Sequence, residues 1–323
     1  MPPDTLDTAH NEIHARPGLL AELVDRAGAR LDRDACLVEK DYWVTHTLDV
    51  LQRAGFTVHF KGGTSLSKGF NLIERFSEDL DLKLEAAFLP AIADNIWKRS
   101  DDKARTARRR FFDELLRQQL PVPLRWQELP SFNDEQLRNL GIRVDYPQIA
   151  PITNPVMRDY VLLEVGRARV TPFIECTVSS WVHDELELAG EPVQRPVVRC
   201  VHPLVTLYEK ASALQSRAAR DDVEPARYVR HFEDAVHILR AWDAGRLPPV
   251  DGYDAPSALA RELLRSRDIK PLDPDHPAFS LASTERAERQ RRALARLAPY
   301  FWGTRISLDD AVTELRDWLR RHL

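Results

Sequence analysis

Lys61-Gly62-Gly63-Thr64-Ser65 and the pair Asp79 and Asp81 are the residues whose types and spacing could do chemistry together. Gly62 and Gly63 let backbone amides approach an anion closely. Thr64 and Ser65 can cap a following helix and offer hydroxyls to a phosphate. The free N–H groups and positive dipole end of that helix favour the same ligand. A strand, Gly-Gly and a helix in that order make a triphosphate cradle, with Lys61 at its edge. Asp79 and Asp81 lie in the run Asp79-Leu80-Asp81-Leu82-Lys83-Leu84. Its period of two puts both carboxylates on one strand face and the leucines in the core. Adjacent carboxylates repel unless a cation sits between them. Hard oxygen ligands suit Mg²⁺, which takes one or two protein carboxylates plus phosphate oxygens. Two such ions can activate an attacking oxygen and stabilise a leaving pyrophosphate. A lone Gly-Gly is usually a turn, and a lone Asp-x-Asp a solvated strand edge; their order, one helix apart, points to phosphate and metal. The stretch is not a P-loop, because Lys68 precedes Gly69 instead of following a glycine. A third carboxylate would come from Glu164, a charge inside the apolar run Tyr160-Val161-Leu162-Leu163-Glu164-Val165, or from Glu175 in Phe173-Ile174-Glu175-Cys176.

The elements that must position these residues follow from periodicity. Leu19, Leu20, Leu23, Val24 and Ala27 recur at helical spacing, and a second helix is expected over 38–51. Residues 56–60 read as a strand, 61–65 as its break, 66–76 as a helix and 79–84 as the next strand. Residues 91–120 read as helical and charged, and the proline-rich 121–155 as an insertion or loop. Strands are expected over 160–165 and 170–178, with Gly166-Arg167-Ala168-Arg169 as a hairpin turn between them. From Pro203 the pattern is helical again, with Pro225 opening a further helix and Ser307 with Asp310 capping the last. The expected class is α+β: a nucleotide-binding core over 56–198 with a small mixed sheet and an insertion near 90–158, between a helical region over 1–55 and a helical domain over 199–323.

Bulk properties exclude several classes. The 323 residues are 43% hydrophobic and 30% charged, enough for one large or two ordinary globular domains. A formal net charge of −4 leaves no basic coat, so nucleic-acid contact must come from local patches. Lys98, Arg99, Lys103, Arg105, Arg108, Arg109 and Arg110 form such a run, opposed only by Asp101 and Asp102. A second run, Arg286, Arg289, Arg291, Arg292 and Arg296, is diluted by Glu285 and Glu288. Cys36, Cys176 and Cys200 are too few and odd in number for a disulfide framework. Cys176, His183, Cys200 and His202 match no structural zinc spacing, and no Gly-x-Ser-x-Gly elbow occurs. No run approaches the roughly 20 apolar residues of a membrane span, and residues 1–14 carry no apolar signal core, so a cytoplasmic protein is expected.

Lys61-Gly62-Gly63-Thr64-Ser65-Leu66 followed by Arg75-Phe76-Ser77-Glu78-Asp79-Leu80-Asp81-Leu82 resembles the signature of the AbiEii/AbiGii nucleotidyltransferase toxins, within the polymerase-β-like superfamily. Val38-Glu39-Lys40-Asp41-Tyr42-Trp43-Val44 is similar to the segment that precedes that signature. Leu207-Tyr208-Glu209-Lys210-Ala211-Ser212-Ala213-Leu214 resembles the family's lysine-bearing helix, and 230–234 its arginine-aspartate motif. The resemblance implies that Gly63, Thr64 and Ser65 hold the triphosphate of an NTP, Asp79 and Asp81 hold magnesium, Lys210 contacts the phosphates and Asp234 completes the site. The sequence departs from the pattern at Arg230-His231, where the family often has Arg-Asp. The resemblance also implies a toxin paired with an antitoxin, often linked to phage defence, that adds nucleotides to the tRNA 3′ end and blocks translation. Two alternatives share the same residues: transfer to a protein or small-molecule hydroxyl, and a catalytically inactive nucleotide-binding module.

Overall fold

Helical spacing of Leu20, Leu23, Val24 and Ala27 builds α1 (Pro17–Leu31), with Pro17 at its first position. This computed structural model describes residues 12–153 and 157–323; the start of the polar N-terminus and Pro155 of the proline-rich segment lie outside the described residues. α2 (Ala35–Arg53) is buried on nearly every side. β1 (Thr57–Lys61) leads directly into α3 (Gly62–Lys68), so the helix expected over 66–76 begins earlier and stops sooner. Gly69 ends it, and Asn71 takes a left-handed φ of 50°, which asparagine tolerates and a helix does not. β2 (Asp79–Glu85) follows, then α4 (Asp94–Lys98) and α5 (Asp102–Arg117). The segment expected as an insertion or loop contains two strands, β3 (Arg125–Glu128) and β4 (Asn139–Asp145). β5 (Val161–Gly166), β6 (Phe173–Thr177), α6 (Trp181–Leu188) and β7 (Val197–Val201) complete the sheet region. α7 (Pro203–Arg217), α8 (Arg230–Asp243), α9 (Pro256–Arg265), α10 (Thr284–Arg296) and α11 (Leu308–His322) follow. Pro225 opens only a short 3-10 turn, and the helix expected from it starts at Arg230. Ser307 caps α11 by accepting from the Asp310 N–H, as its spacing predicted.

Among the described residues seven strands form one mixed sheet in the order β3-β4-β5-β2-β1-β7-β6. The fold is therefore α+β. β2 runs antiparallel to β1 and parallel to β5. The hairpin expected at 166–169 does not form. β4 and β2 occupy both edges of β5, so its backbone groups are already paired, and β6 joins the sheet at the other end. No helix among the described residues is long and apolar enough to cross a membrane.

The chain sorts into two units. The first takes the chain through Thr64 together with Glu78–Ala168 and Glu175–Cys200. Its core gathers Phe60, Leu80, Leu82, Leu140, Ile142 and Leu163, all at most 1% exposed. α2 ties this core to the entry of β5 with buried charges. The Glu39 carboxylate accepts from the Ile149 and Ala150 N–H groups, each at 2.8 Å. Lys40 Nζ donates to the Arg158 carbonyl at 2.7 Å and to the Tyr160 carbonyl, and lies 3.3 Å from Glu78. Burial pushes the Lys40 ammonium below its usual range while Glu78 opposes that shift. Hydrogen bonds to charged groups are the stronger class, so these fix where β5 begins. The second unit takes Ser65–Ser77, Arg169–Ile174 and Val201–Leu323. Its core packs Leu207 and Tyr208 of α7, Phe232 and Val236 of α8, and Leu315 and Trp318 of α11.

Candidate active site

Alternation in β2 leaves Asp79 and Asp81 half-exposed and buries Leu80, Leu82 and Leu84. Antiparallel pairing sets Lys61 against Asp81, and parallel pairing with β5 sets Glu164 against Asp81 and Leu162 against Asp79. Gly62 has a φ of +77°, and a Cβ built there would lie 1.9 Å from Asp81 Oδ2. Only glycine lets that carboxylate rest against the first residue of α3. Thr64 Oγ1 donates to the Asp79 carbonyl at 2.5 Å, fastening the turn to β2. Gly62→Ala therefore displaces the Asp81 carboxylate and strains the backbone. The expected cost is about 1–2 kcal/mol of stability and, because a misplacement of about 1 Å is worth about a hundredfold, a transfer rate reduced by roughly that factor. Thermal unfolding and single-turnover kinetics on the same preparation separate the two effects.

The carboxylates fall into two electrostatic settings. Burial, then the charges of Asp81 and Asp79, push the Glu164 carboxyl up to about 7, and it shares a hydrogen bond with Asp81. Asp79 instead accepts from Arg158 at 2.6 Å, and the same guanidinium reaches Glu78 at 3.0 Å. Among the described residues no group of three or more His, Cys, Asp or Glu side chains is gathered closely enough to hold a metal. The expected set of Asp79, Asp81 and Glu164 is thus a carboxyl pair, Asp81 with Glu164, beside an ion pair, Asp79 with Arg158. Two adjacent hard-oxygen groups whose charges oppose one another fit a divalent cation, which needs no more than two protein carboxylates. Glu175, the other candidate, is not brought to them: it is exposed on β6, 3.7 Å from Arg199. Sequence reasoning quoted Glu78 and Lys40 within the family-like segments without giving them a part in this arrangement, and missed Arg158. Nothing in the spacing marks Arg158 or Lys40, which reach Glu78 and Asp79 only through the fold.

The second unit brings Lys210 and Asp234 together. Asp234 receives a bidentate contact from Arg75, at 2.8 and 2.9 Å, and a third from Lys210 Nζ at 2.8 Å. Arg75 is 3% exposed and Asp234 1%. Burial acts against the Asp234 charge, yet Arg75 and Lys210 hold its carboxyl well below the usual range. Burial lowers Lys210, with Asp234 opposing. Lys210 Nζ also lies 3.3 Å from the ring nitrogen of His231, the residue that departs from the family pattern. Burial and Lys210 drive His231 far below the usual histidine range, keeping the ring neutral. Ser65, at the start of this unit, is fully buried, and its Oγ has no partner among the described residues.

The basic run of 98–110 is only partly available to a ligand. Arg108 is fully buried and donates to the carbonyls of Gln136, Ile96 and Arg99. Arg109 pairs with Asp113 and Glu128, Lys98 with Asp94 and Arg99 with Asp101. Lys103, Arg105 and Arg110 are exposed. The second run is compensated too, with Arg291 on Asp309, Arg292 near Glu288 and Arg286 near Asp221.

A family model described as the nucleotidyl transferase AbiEii toxin of type IV toxin–antitoxin systems matches residues 50–314. Among solved structures the chain is similar to MenT4, a nucleotidyltransferase toxin from Mycobacterium tuberculosis H37Rv, at 16% identity with a TM-score of 0.36, over 93% of this chain and 98% of that one. No curated protein matches significantly.

Proposed function

We propose a specific reaction for this chain, which belongs to the AbiEii nucleotidyl transferase toxin family of type IV toxin–antitoxin systems: magnesium-dependent transfer of a nucleoside monophosphate from an NTP to an RNA 3′ hydroxyl, that of tRNA, blocking translation. The chain is a nucleotidyltransferase, and its family membership implies a nucleotide substrate and a cognate antitoxin. The observation that carries the finer reading is the Asp81–Glu164 carboxyl pair, two residues along β2 from Asp79 and against the Gly62 backbone.

In this reading the backbone N–H groups of Gly62 and Gly63 and the Lys61 ammonium bind phosphate oxygens, with the dipole of α3 behind them. Asp79, Asp81 and Glu164 would hold magnesium, two ions in all, which when bound acidifies the attacking hydroxyl and offsets charge on the departing pyrophosphate. A carboxylate of this set would take the proton of the acceptor hydroxyl. Arg158 orients Asp79 through its 2.6 Å contact. In the second unit, Arg75 and Lys210 both meet the Asp234 carboxylate. A phosphate would be met by Lys210, with Asp234 as the group that aims it and the Ser65 hydroxyl as a further donor.

The test is incubation of the purified protein with total tRNA, Mg²⁺ and each labelled NTP in turn, beside an Asp79→Ala control and a chelated sample. Label in the tRNA band, absent from both controls, is the expected result and names the nucleotide. Label on protein or a small molecule instead would move the acceptor to one of those hydroxyls.

A further inference from the structure

We propose that a cavity beside β2 seats the terminal nucleobase of the RNA acceptor; the inference rests on the RNA-acceptor reading above and gives that acceptor a place. The cavity holds about 220 Å³ and lies within the first unit. Its lining takes Lys83, Glu85 and Gly166 from the sheet face that carries the carboxylates and Leu84 and Val165 from the opposite face, at the ends of β2 and β5. β2 alternates, so Asp79, Asp81, Lys83 and Glu85 share one face, and the cavity begins at Lys83. On β5, Gly166 lines it two residues beyond Glu164. Trp97 of α4 and Phe111 of α5 form a wall, their rings edge-on with centroids 5.7 Å apart, and Leu89 closes a side.

Position decides which substrate belongs there. The Gly62–Thr64 turn touches β2 at Asp79 and Asp81. The cavity touches the same strand from Lys83 onward. Turn and cavity therefore lie on opposite sides of Asp81 along the strand. Attacking and leaving oxygens stand roughly in line through the phosphorus in phosphoryl transfer. With the triphosphate at the turn, the attacking hydroxyl approaches from the cavity side.

Chemistry decides the kind of group. The walls are aromatic and aliphatic, suited to a flat ring. The rim has one donor and one acceptor, Lys83 Nζ and Glu85 Oε1, 2.8 Å apart, which can exchange with the edge of a base. α5 also points to nucleic acid. Phe111 faces the cavity, while Lys103, Arg105 and Arg110 of the same helix are exposed and form no salt bridge among the described residues. An acceptor entering past them meets positive charge that suits a phosphate backbone.

The test compares two short RNA stem-loops with single-stranded 3′ ends, one ending in a normal nucleotide and one in an abasic riboside. Their binding to the full-length protein is followed by fluorescence anisotropy without NTP. The wild type is expected to prefer the base-ended RNA by roughly tenfold or more, the range of one base stacked on an aromatic group. Ala91→Trp, at an exposed lining residue, fills the cavity. It is expected to erase that preference while leaving the affinity for abasic RNA and for NTP unchanged; Ile92→Trp is the second filling variant should the first not fold. Equal affinity of the wild type for both RNAs, or a preference that survives both folded variants, overturns the proposal. So does labelling of a tyrosine peptide that Ala91→Trp abolishes, which would give the cavity to a protein side chain. Label in tRNA with no preference between the two RNAs sinks the cavity alone; a preference without label in any RNA sinks the transfer reading alone.

Discussion

Asp81→Asn is expected to reduce nucleotidyl transfer by about a thousandfold or more, equivalent to about 4 kcal/mol of barrier, while leaving the protein as stable as the wild type or more so. Both parts follow from the same contact. Asp81 lies against Glu164, where burial and the two aspartates raise the Glu164 carboxyl to about 7. Removing one negative charge relieves that repulsion, so a neutral amide costs the folded state little. The pH dependence carries the sign. Between about 4.5 and 7 the folded wild type keeps a proton on Glu164 that the unfolded chain has released. Stability therefore falls as pH rises through that window and levels off above it, by an amount on the order of 3 kcal/mol. In Asp81→Asn the fall is smaller and ends at lower pH. Urea unfolding from pH 4.5 to 8 in chelator measures this. A variant that loses about 2 kcal/mol at pH 8, or retains transfer, would contradict the assignment. The same coupling predicts that magnesium binding to the wild type near pH 6.5 releases a proton, which calorimetry in buffers of different ionisation enthalpy detects.

Local patterns carried the part of the site that local patterns can encode. The alternation of Asp79 to Leu84 placed two carboxylates on one face of β2, and the charge within the apolar run at 160–165 singled out Glu164. Topology was not encoded that way. Gly166-Arg167-Ala168-Arg169 has the composition of a hairpin turn, yet β5 is paired on both edges and the chain crosses to the other end of the sheet. The end of α3 was misread because Leu66, Ile73 and Phe76 keep an apolar spacing through the stop at Gly69 and Asn71. β4 alternates Leu140, Ile142 and Val144 inward, a pattern hidden by its proline-rich surroundings. The partners of the buried charges were the least legible. Lys40 meets the Arg158 carbonyl across 118 positions, and Arg75 meets Asp234 across 159. Arg108 could have been recognised, since Ala104, Arg108, Phe111 and Leu115 form one helical stripe. An arginine on that stripe is structural before it is a phosphate contact.

Asp234→Ala is expected to destabilise the second unit by about 3–5 kcal/mol, the cost of removing one partner from a buried ion pair. For a unit of this size that corresponds to a fall in Tm on the order of 10 °C. The carboxylate answers two cations at once, Arg75 through both oxygens and Lys210 through one. Its loss leaves both charges buried, with a neutral His231 as the remaining neighbour of Lys210. Lys210→Met differs in kind. It removes one of the two cations on Asp234, and the bidentate Arg75–Asp234 pair remains whole. Its stability cost is expected to stay below about 2 kcal/mol, and its effect to fall on NTP affinity instead. Calorimetric unfolding of both variants, with nucleotide binding measured on each folded protein, separates a scaffold carboxylate from a phosphate-binding ammonium. Equal destabilisation by the two would mean that the cluster acts as one structural unit and that Lys210 has no phosphate to meet. An Asp234→Ala protein as stable as the wild type would mean that the triad contributes no net stability. The resemblance that pairs these residues as parts of one site would then have to be explained by chemistry alone.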